Sequence, residues 1–204
     1  AVILTSRKNE DISGLLYLVV NEMPITEIYV PGSINIPDLQ YKDGSRPKII
    51  TYEQGDTLSY GNTCFDVLAF DGLEKTLSES SAALKMTCLN ASVLFMGDFS
   101  AEHELEMLNL LSESELRCDI LRLASHGSAH SNSDELIKTA DAKYAVAAAG
   151  YNQKEKLAES VKSKLAESGS IVLETYLYGS ITFELDGNGI KSVKKTRIPN
   201  IFDR

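Results

Sequence analysis

Tryptophan is absent from this chain, and only three cysteines and three histidines occur among its 204 residues. Cys64, Cys88 and Cys118 are too few and too far apart for a disulfide framework or a cysteine-rich zinc site, so they read as buried apolar residues. They leave the redox compartment open. No apolar run approaches the roughly 18 residues of a membrane-spanning helix, and no signal peptide is legible. Basic residues are in deficit, with 20 Lys plus Arg against 29 Asp plus Glu and a formal net charge of −9. A chain of that sign has no general attraction for phosphate backbones, so DNA binding should be weak and local. The one basic cluster is Lys191, Lys194, Lys195 and Arg197, which reads either as a solvated face or as that local contact.

What is present is globular. Hydrophobic residues make up 43% and charged residues 24%, which excludes disorder, collagen and coiled coil. The length suits one domain over residues 1–204. The chain opens on Ala1-Val2-Ile3-Leu4-Thr5, a buried-strand pattern with no polar lead-in, and is therefore expected to be a piece of a longer chain.

Strand and helix patterns alternate from there. Ile12, Leu15, Leu16, Val19 and Val20 predict an amphipathic helix over 12–22 with Asp11 as N-cap. Short strands are expected at 27–30, 49–51, 57–60, 64–70, 82–89 and 91–96, the last two forming a hairpin around Asn90. Residues 33–47 and 78–81 read as loops. The second half predicts helices over 101–113, with Leu105, Leu108 and Leu111 on one face, and over 134–140 and 153–167. Strands are expected at 120–124 and 144–149, and further strands at 171–175, 180–185 and 190–193 are expected to finish the sheet. Mixed strands interleaved with helices imply a layered α/β sandwich.

In such folds ligands gather beyond the carboxyl ends of strands. Three polar loops hold that position: residues 6–11, Gly97-Asp98, and Ser125-His126-Gly127-Ser128. Neighbouring strands would bring Glu10, Asp11, Asp98 and His126 together, a set of carboxylates and imidazole suited to a divalent metal. Each also has a plainer reading. Asp98 can be a turn former, His126 a satisfied loop histidine, and Glu10 and Asp11 charges that favour a helix N-terminus. His103 and His130 belong to no motif. The serines 125, 128, 131 and 133 read as a polar loop, with anion binding as the other possibility.

The segment Leu4-Thr5-Ser6-Arg7-Lys8-Asn9-Glu10-Asp11-Ile12-Ser13-Gly14-Leu15 resembles the metal-binding segment of metallo-β-lactamase-fold hydrolases. Leu94-Phe95-Met96-Gly97-Asp98 and the stretch Asp119-Ile120-Leu121-Arg122-Leu123-Ala124-Ser125-His126-Gly127-Ser128 resemble its later motifs. The pairing is that of the soluble domain of ComEC/Rec2 competence proteins, which take up DNA. Gln54-Gly55-Asp56-Thr57-Leu58 and Ala147-Ala148-Ala149-Gly150 add support. The resemblance implies a four-layer αββα sandwich with mixed sheets, here lacking the family's first strands. It also implies a soluble domain attached to the remainder of a larger, membrane-associated bacterial chain, with DNA as partner.

The departures bear on chemistry. Ser6 and Lys8 stand where the family has its first two histidines, Glu10 where it has aspartate, Asp11 where it has the third histidine, and Ser125 where it has the first of a histidine pair. The family's later histidine segment has no counterpart in Gly150-Tyr151-Asn152-Gln153. A histidine-rich dinuclear zinc site, which would make a hydroxide nucleophile and clamp the leaving oxygen, cannot be built from three histidines. Lys8 has no lone pair to offer a cation and is expected to neutralise the clustered carboxylates itself. The expectation is a degenerate, non-hydrolytic binding or structural module with no cofactor and no zinc. The alternative is a residual phosphodiesterase or nuclease, with Asp98 and His126 catalytic and one Mn²⁺ or Mg²⁺ held by Glu10, Asp11, Asp98 and His126.

Overall fold

The computed structural model describes residues 1–6, 9–32, 36, 38–70, 81–149 and 156–197, with backbone alone for residues 9–11 and 13. Two sheets lie between two layers of helix. The smaller is parallel and three-stranded, in the order β1 (Val2–Ile3), β2 (Glu27–Pro31), β3 (Lys48–Tyr52). The larger runs β10 (Ile171–Glu174), β9 (Tyr144–Ala147), β8 (Ile120–Arg122), β7 (Ala91–Phe95), β6 (Ala82–Cys88), β5 (Thr63–Phe70), β4 (Thr57–Tyr60). It is parallel from β7 to β10 and antiparallel from β7 to β4.

Side-chain alternation along the strands builds the layers. Ile28 and Val30 of β2 pack with Ile12, Leu15 and Val19 of helix α1 (Asn9–Val20). Tyr29 between them faces the other way, into a cluster with Tyr52, Val67, Ala82, Leu84 and Phe95 between the sheets. On the far face of the large sheet, Leu94, Leu121, Ala145 and Ala147 meet Met107 of α2 (Ala101–Leu110), Leu116 of α3 (Glu113–Leu116), Leu136 and Ile137 of α4 (Asp134–Ala140), and Val161 and Leu165 of α5 (Glu159–Glu167). Helix, sheet, sheet, helix is the αββα order. Among the described residues no helix is long and apolar enough to cross a membrane.

Several expectations need correction. Asp11 lies inside α1 and is not its N-cap, because the helix begins at Asn9. Leu16 and Val20 face solvent, so the buried stripe of α1 is narrower than the apolar pattern. The helix expected over 101–113 divides into α2 and α3, with Ser112 capping the second through a reciprocal pair with Glu115. In α2 the buried positions are Glu104 and Met107, and Leu105 is exposed. The strand expected over 120–124 stops at Arg122, and the chain turns through Ala124–Gly127 with left-handed backbone at Ser125 and His126. After β10 and a single turn, α6 (Thr175–Tyr178), the chain leaves the large sheet. Among the described residues, strands β11 (Ile181–Asp186) and β12 (Gly189–Lys195) pair only with each other. The expected loop at 78–80 and the start of the expected helix at 153 lie outside the described residues.

Candidate functional site

The carboxyl ends of β1, β7 and β8 open on one cavity of about 320 Å³, which Ser6, Ser81, Gly97, Asp98, Arg122 and His126 line. Each reaches it for a local reason. Ser6 follows the short β1 and forms an antiparallel bridge with Ser81, reinforced by the Ala82 N–H donating to Thr5 O at 2.7 Å. Ser81, only 1% exposed, accepts the Asp98 N–H at 3.1 Å and so ties that turn to the small sheet. Gly97 has φ +53°, and a Cβ there would fall 2.1 Å from Ser81 Oγ. Only glycine fits this approach.

Arg122 ends β8 opposite Phe95 of β7. Phe95 faces the space between the sheets, so the alternation that sends Leu94 and Leu121 to the helices sends Arg122 to the cavity. Its Nη1 donates to Gly97 O at 3.1 Å and to Leu123 O at 3.2 Å, which fixes the guanidinium against backbone. The Ser125 N–H donates to the same Gly97 O at 2.9 Å.

His126 sits in an unusual run of left-handed backbone: Ser125, His126 and Gly127 have φ of 45°, 57° and 89°. Non-glycine residues seldom adopt this region and need support from outside the turn. Asn132, fully buried, supplies it. Its Oδ1 accepts the Ala124 N–H at 2.9 Å, and its Nδ2 donates to Ala124 O at 3.1 Å and Ser128 O at 3.4 Å. Asn132 is held in turn by Glu104, whose carboxylate accepts the Asn132 N–H at 2.6 Å and the Ser133 N–H at 2.7 Å. Burial is the largest influence on Glu104 and raises its pKa above the ordinary 4.5, while those two N–H bonds pull it back. His126 Nδ1 bonds to the Ala148 carbonyl. A carbonyl oxygen can only accept, so Nδ1 carries the proton and Nε2 is the nitrogen left to act on a ligand.

The structure thus brings Asp98 and His126 to one cavity with Ser6. Glu10 and Asp11 stand in the first turn of α1, and their side chains, with Arg7 and Lys8, lie outside the described residues. The neutralising role expected of Lys8 therefore has no described counterpart. Among the described residues the cation that lines the cavity is Arg122, which the sequence reading passed over. Its signal was available: a charge in the apolar run Ile120-Leu121-Arg122-Leu123, four residues before His126. Glu104 and Asn132 were also missed as supports, since neither belongs to a motif.

Other candidates are accounted for structurally. His103 Nδ1 pairs with Ser100 Oγ at 2.8 Å at the start of α2. Ser131 donates to Phe99 O at 2.7 Å and Ser133 caps α4, so these serines serve the backbone. In the basic cluster, Lys194 pairs with Glu184, Lys195 lies 4.0 Å over the Tyr178 ring and Arg197 donates to Tyr176 O at 3.2 Å.

A metallo-β-lactamase-type centre requires several donors with lone pairs around two cations. Among the described residues no three His, Cys, Asp or Glu side chains stand close enough to hold a metal ion. The described cavity offers one carboxylate and one imidazole, together with a guanidinium that repels a cation. This set does not fit a dinuclear centre.

No family model matches the chain. It is 26% identical over 190 residues to ComE operon protein 3 of Bacillus subtilis (strain 168), covering 90% of this chain and 24% of that protein. It is 29% identical over 113 residues to competence protein ComA of Neisseria gonorrhoeae, covering 55% and 16%. Among solved structures, the metallo-β-lactamase-fold protein YhfI of Bacillus subtilis aligns over 67% of this chain and 57% of its own, at 17% identity and a TM-score of 0.41. The CmlA β-hydroxylase E377D mutant aligns over 59% and 30%, at 14% identity and 0.39. The resemblance carried by the motifs and the two curated relatives agree: this chain is similar to ComEC-type competence proteins over most of its length, while spanning about a quarter or less of theirs.

Proposed function

We propose that this chain is a non-hydrolytic module of a ComEC-like DNA-uptake protein, a domain whose cavity binds rather than cleaves. One observation carries the reading. Arg122 is fastened by two backbone carbonyls into the cavity that Asp98 and His126 line. Hydrolysis in the related fold needs a cation that can bind water and lower its pKa. A guanidinium stays protonated, holds no exchangeable ligand and generates no hydroxide. It can neutralise charge and orient an anion, which is what a binding site needs. Ser6 and Ser125, standing where ligating histidines occur in the family, support the same reading, as does the Ser125 N–H spent on Gly97 O. Attachment to a larger membrane-associated chain, with DNA in the vicinity, follows the relatives' competence names.

The test is a cleavage assay on supercoiled plasmid and on single-stranded oligonucleotide, with EDTA, Mg²⁺, Mn²⁺ or Zn²⁺ added. The expected result is intact DNA in every arm. Strand scission that needs a metal and disappears in the Asp98→Ala protein would establish the residual-hydrolase alternative instead.

A further inference from the structure

The small sheet ends in an open edge. Its order is β1-β2-β3, and among the described residues no strand lies beyond β3 (Lys48–Tyr52). Along a strand, alternate residues bond to the neighbouring strand and those between them point their backbone groups away from it. The Lys48 N–H donates to Thr26 O at 2.9 Å, and Tyr52 O accepts the Gly32 N–H at 2.9 Å. Lys48, Ile50 and Tyr52 are therefore the residues that bond to β2. The N–H and C=O groups of Ile49 and Thr51 point outward. Both residues are exposed, Ile49 to 45%, and both are β-branched. An edge with no charge, proline or bulge between Ile49 and Thr51 is a template for another strand.

The phase of this edge fits a second copy of itself. Two β3 strands laid antiparallel about a two-fold axis at Ile50 set Ile49 of each copy against Thr51 of the other. Each such pair exchanges two N–H···O bonds, and no outward group of either residue is left over. Lys48 falls opposite Tyr52, so no like charges meet, which matters between two chains of net charge −9. The free edge of the large sheet, β4, is a poorer template. Its outward residues, Thr57 and Ser59, are polar, and the Thr57 hydroxyl already donates to Asp66 at 2.7 Å. We infer that two copies of this chain join edge to edge through β3, making one six-stranded sheet of the two small ones. A contact of so few residues falls short of the roughly 1,200 Å² of a standard interface, so the dimer is weak and concentration-dependent.

The test is sedimentation equilibrium of the chain from micromolar to millimolar concentration. The expected result is a monomer–dimer equilibrium. Thr51→Pro removes an outward N–H without touching the bonds to β2, and should weaken the dimer about 10-fold or more. Ile49→Lys, an exposed change that puts charge on the edge, should also weaken it and serves if the proline variant fails to fold. Ser59→Lys, on the β4 edge, should leave the dimer unchanged. Register is read by oxidation of single cysteines placed in a Cys64→Ser, Cys88→Ser background, Cys118 being buried. Facing Ile50 positions lie about 4.5 Å apart at Cα in this register, within disulfide range, so Ile50→Cys should link the copies. Ile49→Cys, opposite Thr51, should not. A monomer at every concentration would overturn the inference. So would a dimer indifferent to Thr51→Pro and Ile49→Lys, a dimer that Ser59→Lys dissolves, or one linked through Ile49→Cys and not through Ile50→Cys.

Discussion

Glu104 shows how a residue far from any motif sets the geometry of the candidate site. Its carboxylate is fully buried, accepts two backbone N–H groups and fixes Asn132, which brackets the left-handed turn carrying His126. Burial holds its pKa above 4.5, so the native state binds this proton more tightly than the unfolded chain. By linkage, the stability it contributes is fully present below the ordinary carboxylate range and is lost as pH rises through the raised value. Glu104→Gln imitates the protonated form. Relative to that variant, the parent should therefore lose stability as pH rises above the ordinary carboxylate range, read from urea midpoints across pH. A parent that gains on the variant as pH rises would contradict the assignment. Glu104→Ala orphans both N–H groups and should cost about 1–3 kcal/mol for each, most at low pH where the parent keeps the full contribution.

The same residue marks the limit of what the sequence discloses. Glu104 reads as a first-turn charge that suits the helix dipole, and it is one. Its burial depends on the loop before α4 arriving at that turn, a contact between positions 28 and 29 residues apart. Arg122 was hidden differently. A lone charge in a strand reads as an edge or a solvent face until the register against Phe95 shows which side of the sheet it takes.

At the scale of elements, the strands were legible where local chemistry specifies them. The hairpin of β6 and β7 turns at Leu89 and Asn90, with Leu89 at φ 53°. The pair β4–β5 turns at Gly61 and Asn62, again where the sequence has turn residues. Partners were not legible. Strands β11 and β12 carry the same alternation as sheet strands, yet the helical turn α6 carries them off the large sheet as a separate ribbon. The connection after β7 is where element and site meet. Gly97 takes left-handed backbone beneath Ser81, and its carbonyl receives both Ser125 N–H and Arg122. Gly97→Ala should cost about 1–3 kcal/mol through strain and overpacking. Gly14→Ala, in α1 with open space around it, should gain about 0.5–1 kcal/mol. Equal urea midpoints for the two variants would count against the close approach at Gly97.

For the whole molecule, the αββα order follows from alternation in the strands, and the motif spacing places three strand ends around one cavity. The proposed binding role rests on serines as much as on the scarcity of histidine. Ser6 and Ser125 take positions where the family has donors, and Arg122 brings a permanent positive charge. The central claim is that this cavity is built around that charge and not around a metal. Metal content after dialysis against Zn²⁺ and then Mn²⁺, measured by plasma mass spectrometry on the parent and on the Asp98→Ala and His126→Ala proteins, tests it most directly. The account predicts well under one equivalent of either metal in all three. One or two equivalents in the parent, lost in both variants, would contradict it.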